Sequence, residues 1–198
     1  MERGPYSERT LGDYALGACL ARHPHGEVYR ARDARLDREV VIKLVPGGAA
    51  TAAMQARCLA EARVAARIDH PCATRVYGHG VEADGTCWIA LEAVRGPTLT
   101  ELVAARGPLG VVDTVELITR LAEVLATMHE QGLWHRDLKP DNVLVVARAG
   151  RRLPILCDFG LTALAIDGPA GTPAYMAPEQ WSGGAIDGRT DGYGLALC

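Results

Sequence analysis

The chain has 198 residues, 48% of them hydrophobic, 23% charged and 5% aromatic, with a formal net charge of −3. That length can bury one substantial core, the composition is that of an ordinary folded domain, and the lack of a basic excess argues against nucleic acid as a partner. No apolar run approaches the ~18 residues of a membrane span, Met1-Glu2-Arg3-Gly4-Pro5 leads into no signal-like stretch, and six scattered cysteines without a C-x-x-C pair disfavour a disulfide framework or zinc site. The expectation is a protein of the reducing cytoplasm.

In chain order, residues 14–19, 27–31, 39–45, 74–78 and 86–91 are short β-rich runs separated by Gly, Pro, Asp or His, the pattern of an antiparallel meander. One helix interrupts them. Residues 51–68 are rich in Ala, Arg, Glu and Leu, with Thr51 placed as N-cap and Asp69-His70-Pro71 as the stop. Past residue 95 the texture turns helical. Thr98-Leu99-Thr100-Glu101 has capping-box spacing and opens a short helix closed by Gly107-Pro108. Asp113-Thr114-Val115-Glu116 predicts a second cap, and Ile118, Leu121, Leu125 and Met128 make one apolar face of a long helix ending at Gln131-Gly132. Two further β-like runs, 143–146 and 153–157, flank the polar turn 147–152. The chain is therefore read as α+β. Residues 1–13 are an N-terminal extension, 14–91 a β-rich lobe with one helix, 92–97 a hinge, and 98–198 a mostly helical lobe.

The sharpest chemistry lies in His135-Arg136-Asp137-Leu138-Lys139-Pro140-Asp141-Asn142, between a helix end and a strand, in a loop that a scaffold can position. Val40-Val41-Ile42-Lys43 precedes it; Asp158-Phe159-Gly160 and Ala177-Pro178-Glu179 follow it. Together these resemble the catalytic loop, the V-A-I-K strand, and the D-F-G and A-P-E motifs of protein kinases, in the family's order and over roughly residues 14–198. Lys139, and Thr172 in Gly171-Thr172-Pro173-Ala174-Tyr175, follow the serine/threonine branch. The wording from Gly171 to Gln180 is similar to the bacterial members of that branch.

The resemblance implies a bilobal kinase-like fold that transfers the γ-phosphate of Mg-ATP to a Ser or Thr hydroxyl of a protein substrate. Such chemistry asks mainly that two reactants be held in line and phosphate charge be neutralised. By the resemblance, Lys43 brings a cation to the α/β-phosphates and Glu61, in Ala60-Glu61-Ala62, holds that lysine. Asp137 accepts the proton of the substrate hydroxyl, and Lys139 reaches the γ-phosphate. Asn142 and Asp158 supply the hard oxygens that Mg2+ prefers. Leu20, Val28, Val41 and Leu144 sandwich the adenine, Leu91 backs that pocket, and Glu92 to Val94 offer backbone hydrogen bonds. Phe159, Gly160, Thr172 and Glu179 belong to the activation and substrate segment, while His135, Arg136 and Asp191 support the catalytic loop. Cys157 reads equally as a pocket-lining residue or a small core residue. A protein substrate is the expected partner, and a kinase-domain dimer is compatible with the family.

Four departures stand out. Aligning Gly26-Glu27-Val28 with the end of G-x-G-x-x-G-x-V puts Ala21 and His23 where the first two glycines belong. Glycine there lets backbone amides approach phosphates without a Cβ, and Pro24 removes one N–H. One lost hydrogen bond to a charged group, ~1.5–3 kcal/mol, weakens ATP roughly tenfold to a hundredfold, partly offset if His23 or His25 is protonated. The expectation is a raised KM for ATP. Val41 stands where V-A-I-K has alanine and crowds the adenine modestly. Between Gly160 and Gly171 the one hydroxyl is Thr162, which predicts activation that does not depend on phosphorylation in that loop. Finally, Thr190-Asp191-Gly192-Tyr193-Gly194 resembles the start of the central helix of the large lobe, and the sequence ends soon afterwards. Glu179 is thus expected to be a buried carboxylate without its basic partner, at ~3–5 kcal/mol, and the apolar face over 113–128 to lose cover. An incomplete large lobe leaves three readings open: a kinase, a nucleotide-binding or protein-binding pseudoenzyme, and a fragment without a stable fold. Intact Lys43, Glu61, Asp137, Asn142 and Asp158 favour the kinase.

Overall fold

The structure, a computed structural model, describes residues 3–23, 26–49, 51–148, 150–158 and 171–198. Strand alternation builds its first part. Along β4 (Arg38–Val45), Val40, Ile42 and Leu44 are fully buried while Val41 and Val45 are half-buried, the two-residue period of a strand with one face on a core. Around it lie β1 (Thr10–Leu11), β2 (Tyr14–His23), β3 (Gly26–Asp33), β5 (Val76–Val81) and β6 (Cys87–Glu92), an antiparallel sheet in the order β1-β2-β3-β4-β6-β5. The core on this face is Leu11, Tyr14, Leu16, Tyr29, Val40, Ile42, Leu44 and Trp88. Residues read as an extension before the domain thus contribute β1, and Leu11 is completely buried.

Helix α1 (Ala52–Ala65) packs on β5 and β6. It is shorter than the expected 51–68 because the Arg67 N–H bonds back to the Val64 carbonyl (2.9 Å), tightening the last turn before the Asp69-His70-Pro71 signal. The following residues are needed elsewhere. Leu156 N–H donates to the Cys72 carbonyl (2.8 Å) and Thr74 N–H to the Leu156 carbonyl (2.9 Å). The chain accordingly divides into two units, Met1–Arg67 with Arg75–Ala93 and Ile68–Thr74 with Val94–Cys198. That use of Thr74 also moves β5 two residues beyond the expected 74–78.

In the second unit, α2 (Leu99–Arg106) opens on the predicted capping box. The Glu101 N–H donates to Thr98 Oγ1 (3.1 Å) and the Thr98 N–H to Glu101 Oε2 (2.8 Å). Helix α3 (Val111–Glu130) begins two residues before the expected Asp113 cap, with Gly110 at the N-cap. Asp113 falls instead in the first turn, where a carboxylate suits the helix dipole, and pairs with Arg152 at 3.1 Å. Its buried stripe is Leu117, Leu121, Val124, Leu125 and Met128, with Ile118 only half-buried. The expected loss of cover is seen only at the start of the helix, where Val111, Val112 and Val115 are exposed; the rest of the stripe is covered, because α3 packs on β8 (Arg151–Leu156), the partner of β7 (Val143–Arg148), and on α5 (Gly188–Ala196). Helix α4 (Pro178–Ser182) precedes α5. No helix among the described residues is long and apolar enough to cross a membrane.

Candidate active site

Helix α3 stops at Gln131, and Gly132, at φ 70°, takes the left-handed conformation that turns the chain. The loop that follows is held from below by α5. Asp191 is 1% exposed, and its Oδ2 accepts His129 Nε2–H (2.8 Å) and the His135 N–H (2.9 Å), while Oδ1 accepts the Arg136 N–H (2.8 Å). Glycines let α5 come this close. A Cβ on Gly188 would stand 2.8 Å from His129 Nδ1, and one on Gly194 3.0 Å from the Leu138 carbonyl oxygen. His135 is fully buried; its Nδ1 accepts the Asp137 N–H (3.4 Å), so Nε2 carries the proton donated to the Cys157 carbonyl (2.9 Å).

This anchoring holds Arg136 at φ 65°, a left-handed backbone that costs a non-glycine residue ~1–2 kcal/mol. The Arg136 carbonyl accepts Gln180 Nε2–H (2.8 Å), and Gln180 Oε1 accepts the Ala177 N–H (2.9 Å), tying the loop to the start of α4. Gly171, at φ 136°, lies against the same carbonyl, and a Cβ there would stand 3.1 Å from it.

Asp137 is the focus of the loop. Its Oδ1 accepts both the N–H and the Oγ1–H of Thr172 (2.8 Å each); its Oδ2 faces Lys139 Nζ (3.1 Å) and accepts Asn142 Nδ2–H (3.2 Å). Lys139 Nζ also donates to Thr172 Oγ1 (2.6 Å), closing a ring of three side chains. Burial pushes the Asp137 carboxyl up, but the Lys139 charge and the Thr172 hydrogen bond outweigh it and hold it below its ordinary value. Asn142 is buried, and its Nδ2 also donates to the Asp137 carbonyl (2.7 Å). This fixes the amide so that Oδ1 is turned from the ring. Asp158 is half-buried at φ 65°, a second strained non-glycine backbone. Cys157 is half-buried, and its Sγ–H donates to the Asn142 carbonyl (3.1 Å). Leu144, on β7, is half-buried, as is Val94.

In the first unit, Lys43 is buried on β4, on the face opposite the core cluster, across from Val28 on β3 and Ile89 on β6. Cys87, two residues before Ile89, shares that face and meets Cys58 of α1, whose thiol burial, Cys87 and Glu61 push up to about 12. Helix α1 therefore covers the Lys43 face, and Glu61, half-buried one turn beyond Cys58, lies on that side. Val28 and Val41 are half-buried, and Leu91 is buried opposite Val41. Leu20 is 44% exposed at an irregularity of β2. Ala21 pairs with Val28, and Glu92 accepts the Arg75 N–H (3.4 Å).

Gly26 has a reason to be glycine apart from phosphate: a Cβ there would stand 2.7 Å from the Leu44 carbonyl oxygen. His23 pairs with Gly26 through its backbone. Its side chain, Pro24, His25, Phe159, Gly160 and Thr162 lie outside the described residues.

Glu179 is not the buried carboxylate expected, and the partner the structure gives it is a hydroxyl, not a base. It is half-buried, and Thr190 Oγ1–H donates to its Oε1 (2.6 Å), a bond that leads in holding the carboxyl below its usual range. His129, Gln180, Gly188 and the Cys72–Thr74 segment escaped sequence reasoning. Only the three glycines of α5, poor for a helix on propensity, hinted at a close approach.

The protein kinase domain family matches residues 20–198, and the chain belongs to that family, with a protein-kinase-like fold. The kinase domain of Mycobacterium tuberculosis PknI superposes with a TM-score of 0.77 at 33% identity, covering 96% of this chain and 74% of that one. Serine/threonine-protein kinase pkn3 of Myxococcus xanthus is 33% identical over 97% of this chain, and PknD of M. tuberculosis 36% over 97%. The chain spans 38% and 30% of those two proteins.

Proposed function

We propose that this chain carries the catalytic machinery of a serine/threonine protein kinase, transferring the γ-phosphate of ATP to a Ser or Thr hydroxyl of a protein. The observation that carries the reading is the closed ring of Asp137, Lys139 and Thr172. It presents an ionised carboxylate with a fixed orientation beside a cation, which is what proton removal from an alcohol during phosphoryl transfer requires. Asp137 orients the substrate hydroxyl and takes its proton as its oxygen bonds to the γ-phosphorus, while the bond from that phosphorus to the bridging oxygen breaks and ADP leaves. Lys139 neutralises the charge developing on the transferred phosphoryl group. Asp191, His135 and Gln180 hold the loop so that Asp137 needs little reorganisation.

Lys43, with Glu61 on the helix covering its face, anchors the α- and β-phosphates. Leu20, Ala21, His23, Gly26, Val28, Val41, Leu91, Glu92, Val94 and Leu144 receive the nucleotide. Phe159, Gly160, Thr172 and Glu179 shape the activation and substrate segment. Asn142 Oδ1 and the Asp158 carboxylate are hard oxygens that suit Mg2+, which takes one or two protein ligands and completes its shell with phosphate and water. Mg2+ held there would offset the phosphate charge. ATP as donor and six cysteines outside any disulfide agree with a cytoplasmic location.

The test is Mg-ATP-dependent phosphate transfer by residues 1–198 to themselves and to a generic basic protein, with Asp137→Asn as control. Transfer that disappears in the control supports the reading. No transfer from a chain that melts cooperatively would replace it with a nucleotide-binding or protein-binding pseudoenzyme.

A further inference from the structure

The hairpin that carries Ala21, His23 and Gly26 is tied to a segment of chain more than ten residues before it. Tyr29, on β3, is fully buried, and its hydroxyl sits between two partners. It donates to Glu27 Oε2 and accepts the Tyr6 N–H (3.2 Å). Glu27 in turn faces Arg22 (3.7 Å), its cross-strand neighbour in the β2–β3 pairing. A chain of polar contacts thus runs from the backbone of Tyr6 through Tyr29 and Glu27 to Arg22, one pair short of the tip of that hairpin.

The segment that reaches Tyr29 is itself locked. The Gly4 N–H donates to Ser7 Oγ (2.9 Å) and the Ser7 N–H to the Gly4 carbonyl (3.0 Å), closing a turn. Glu8 N–H donates to the Leu16 carbonyl (2.9 Å) and Leu16 N–H to the Arg9 carbonyl (2.8 Å). The Arg9 guanidinium lies 4.9 Å from the Tyr6 ring centroid and pairs with Asp84 (3.1 Å). Gly4 fits directly against Tyr29: a Cβ there would meet the Tyr29 hydroxyl and stand 2.9 Å from Cζ and 3.0 Å from the Cys19 Cβ. Two independent features, a hydrogen-bonded hydroxyl and a glycine close approach, therefore converge on one ring.

We propose that residues 4–9 act through Tyr29 and Glu27 as a brace that holds the β2–β3 hairpin in its nucleotide-binding conformation, making Gly4, Tyr29 and Glu27 positioning residues for ATP. The idea rests on the kinase reading above. Its physical content is preorganisation: a hairpin with one loop glycine has few close-approach conformations, and holding it in the productive one recovers affinity that loop chemistry has lost. The brace also gives the Glu27 carboxylate a hydroxyl and a guanidinium to face, which keeps its charge from opposing the phosphates. Burial, followed by the Glu27 hydrogen bond, pushes the Tyr29 hydroxyl up to about 12, so it remains a donor at physiological pH.

The experiment uses the whole chain with Tyr29→Phe, Gly4→Ala, their double variant and Glu27→Gln. Tyr29→Phe and Gly4→Ala should each raise the KM for ATP about three- to tenfold, with kcat at saturating ATP within about twofold of the parent. The double variant should be no worse than either single one, and Glu27→Gln, which still accepts from Tyr29, should retain most of the affinity. Hydrogen exchange at the amides of Arg22, Glu27 and Val28, without nucleotide, should accelerate in both single variants. A KM that stays at the parent value, even with a lowered Tm, would overturn the brace and leave Tyr29 a packing residue. If the parent transfers no phosphate the kinase reading fails by itself. Direct ATP binding then decides the brace: an ATP Kd raised about three- to tenfold in both single variants supports it, and an unchanged Kd overturns it whatever the exchange shows.

Discussion

Replacing Asp191 by Asn isolates what holds the catalytic loop. The two side chains have nearly the same volume, so no cavity forms, but one acceptor oxygen becomes an NH2 donor. With the amide oxygen kept toward His129 and His135, the new NH2 faces the Arg136 N–H; with the amide flipped, it faces the other two donors. Either way at least one buried N–H loses its acceptor, at about 1–3 kcal/mol. Asp191 also restrains Arg136 at φ 65°, so release of that backbone lets the loop relax toward an ordinary conformation. For a chain of this size, about 2 kcal/mol corresponds to a Tm lower by about 4–8 °C. The assays are thermal melting, amide exchange at His135 and Arg136, and kcat. Exchange at those two amides should rise by at least about tenfold, and kcat should fall although Asp191 touches no reactant. A variant with parental exchange and parental kcat would refute the claim that this carboxylate positions Asp137.

Thr172→Ala should lower kcat by at least about tenfold, because it removes one of the two Thr172 donors to Asp137 and the acceptor of Lys139, while Thr172→Ser should restore most of it; steady-state kinetics check both. Because the folded carboxyl of Asp137 is held below the 3.8 of an ordinary aspartate, its stabilisation is complete above that value and is lost as pH falls through the folded one. The Tm gap between the parent and Asp137→Asn should therefore stay constant from about pH 5 to about pH 8 and change only below about pH 4, as melts across that range would reveal. Thr98→Ala removes the side-chain half of the α2 capping box and should cost about 1 kcal/mol, a fall of about 2–4 °C in Tm by calorimetry.

The local signals in the sequence translated well where neighbours along the chain supply the physics. The Thr98 box and the β-rich run over 39–45 need only residues within a turn or a strand, and both formed, the box at the start of α2 and the run as β4. Errors arose where a distant partner competes. Asp113 looked like a cap but sits in the first turn facing Arg152, and α1 ends early while residues 72–74 are bound to Leu156. Residues 1–13 looked like an extension because β1 is only two residues long, too short to carry a period, yet Leu11 is wholly buried.

For the site, the sequence by itself determined which groups can do chemistry: Lys43, Glu61, Asp137, Lys139, Asn142 and Asp158 are legible as residue types in a fixed order. Only the tertiary structure decided how the catalytic loop is held. His129 meets Asp191 across 62 residues, Gln180 meets Arg136 across 44, and Thr190 gives Glu179 a hydroxyl partner. Periodicity describes a segment relative to its own axis, whereas these contacts depend on where separate elements pack. A carboxylate in the sequence is a candidate base; burial and partners brought from 35 residues away, as Thr172 is to Asp137, fix its charge and aim.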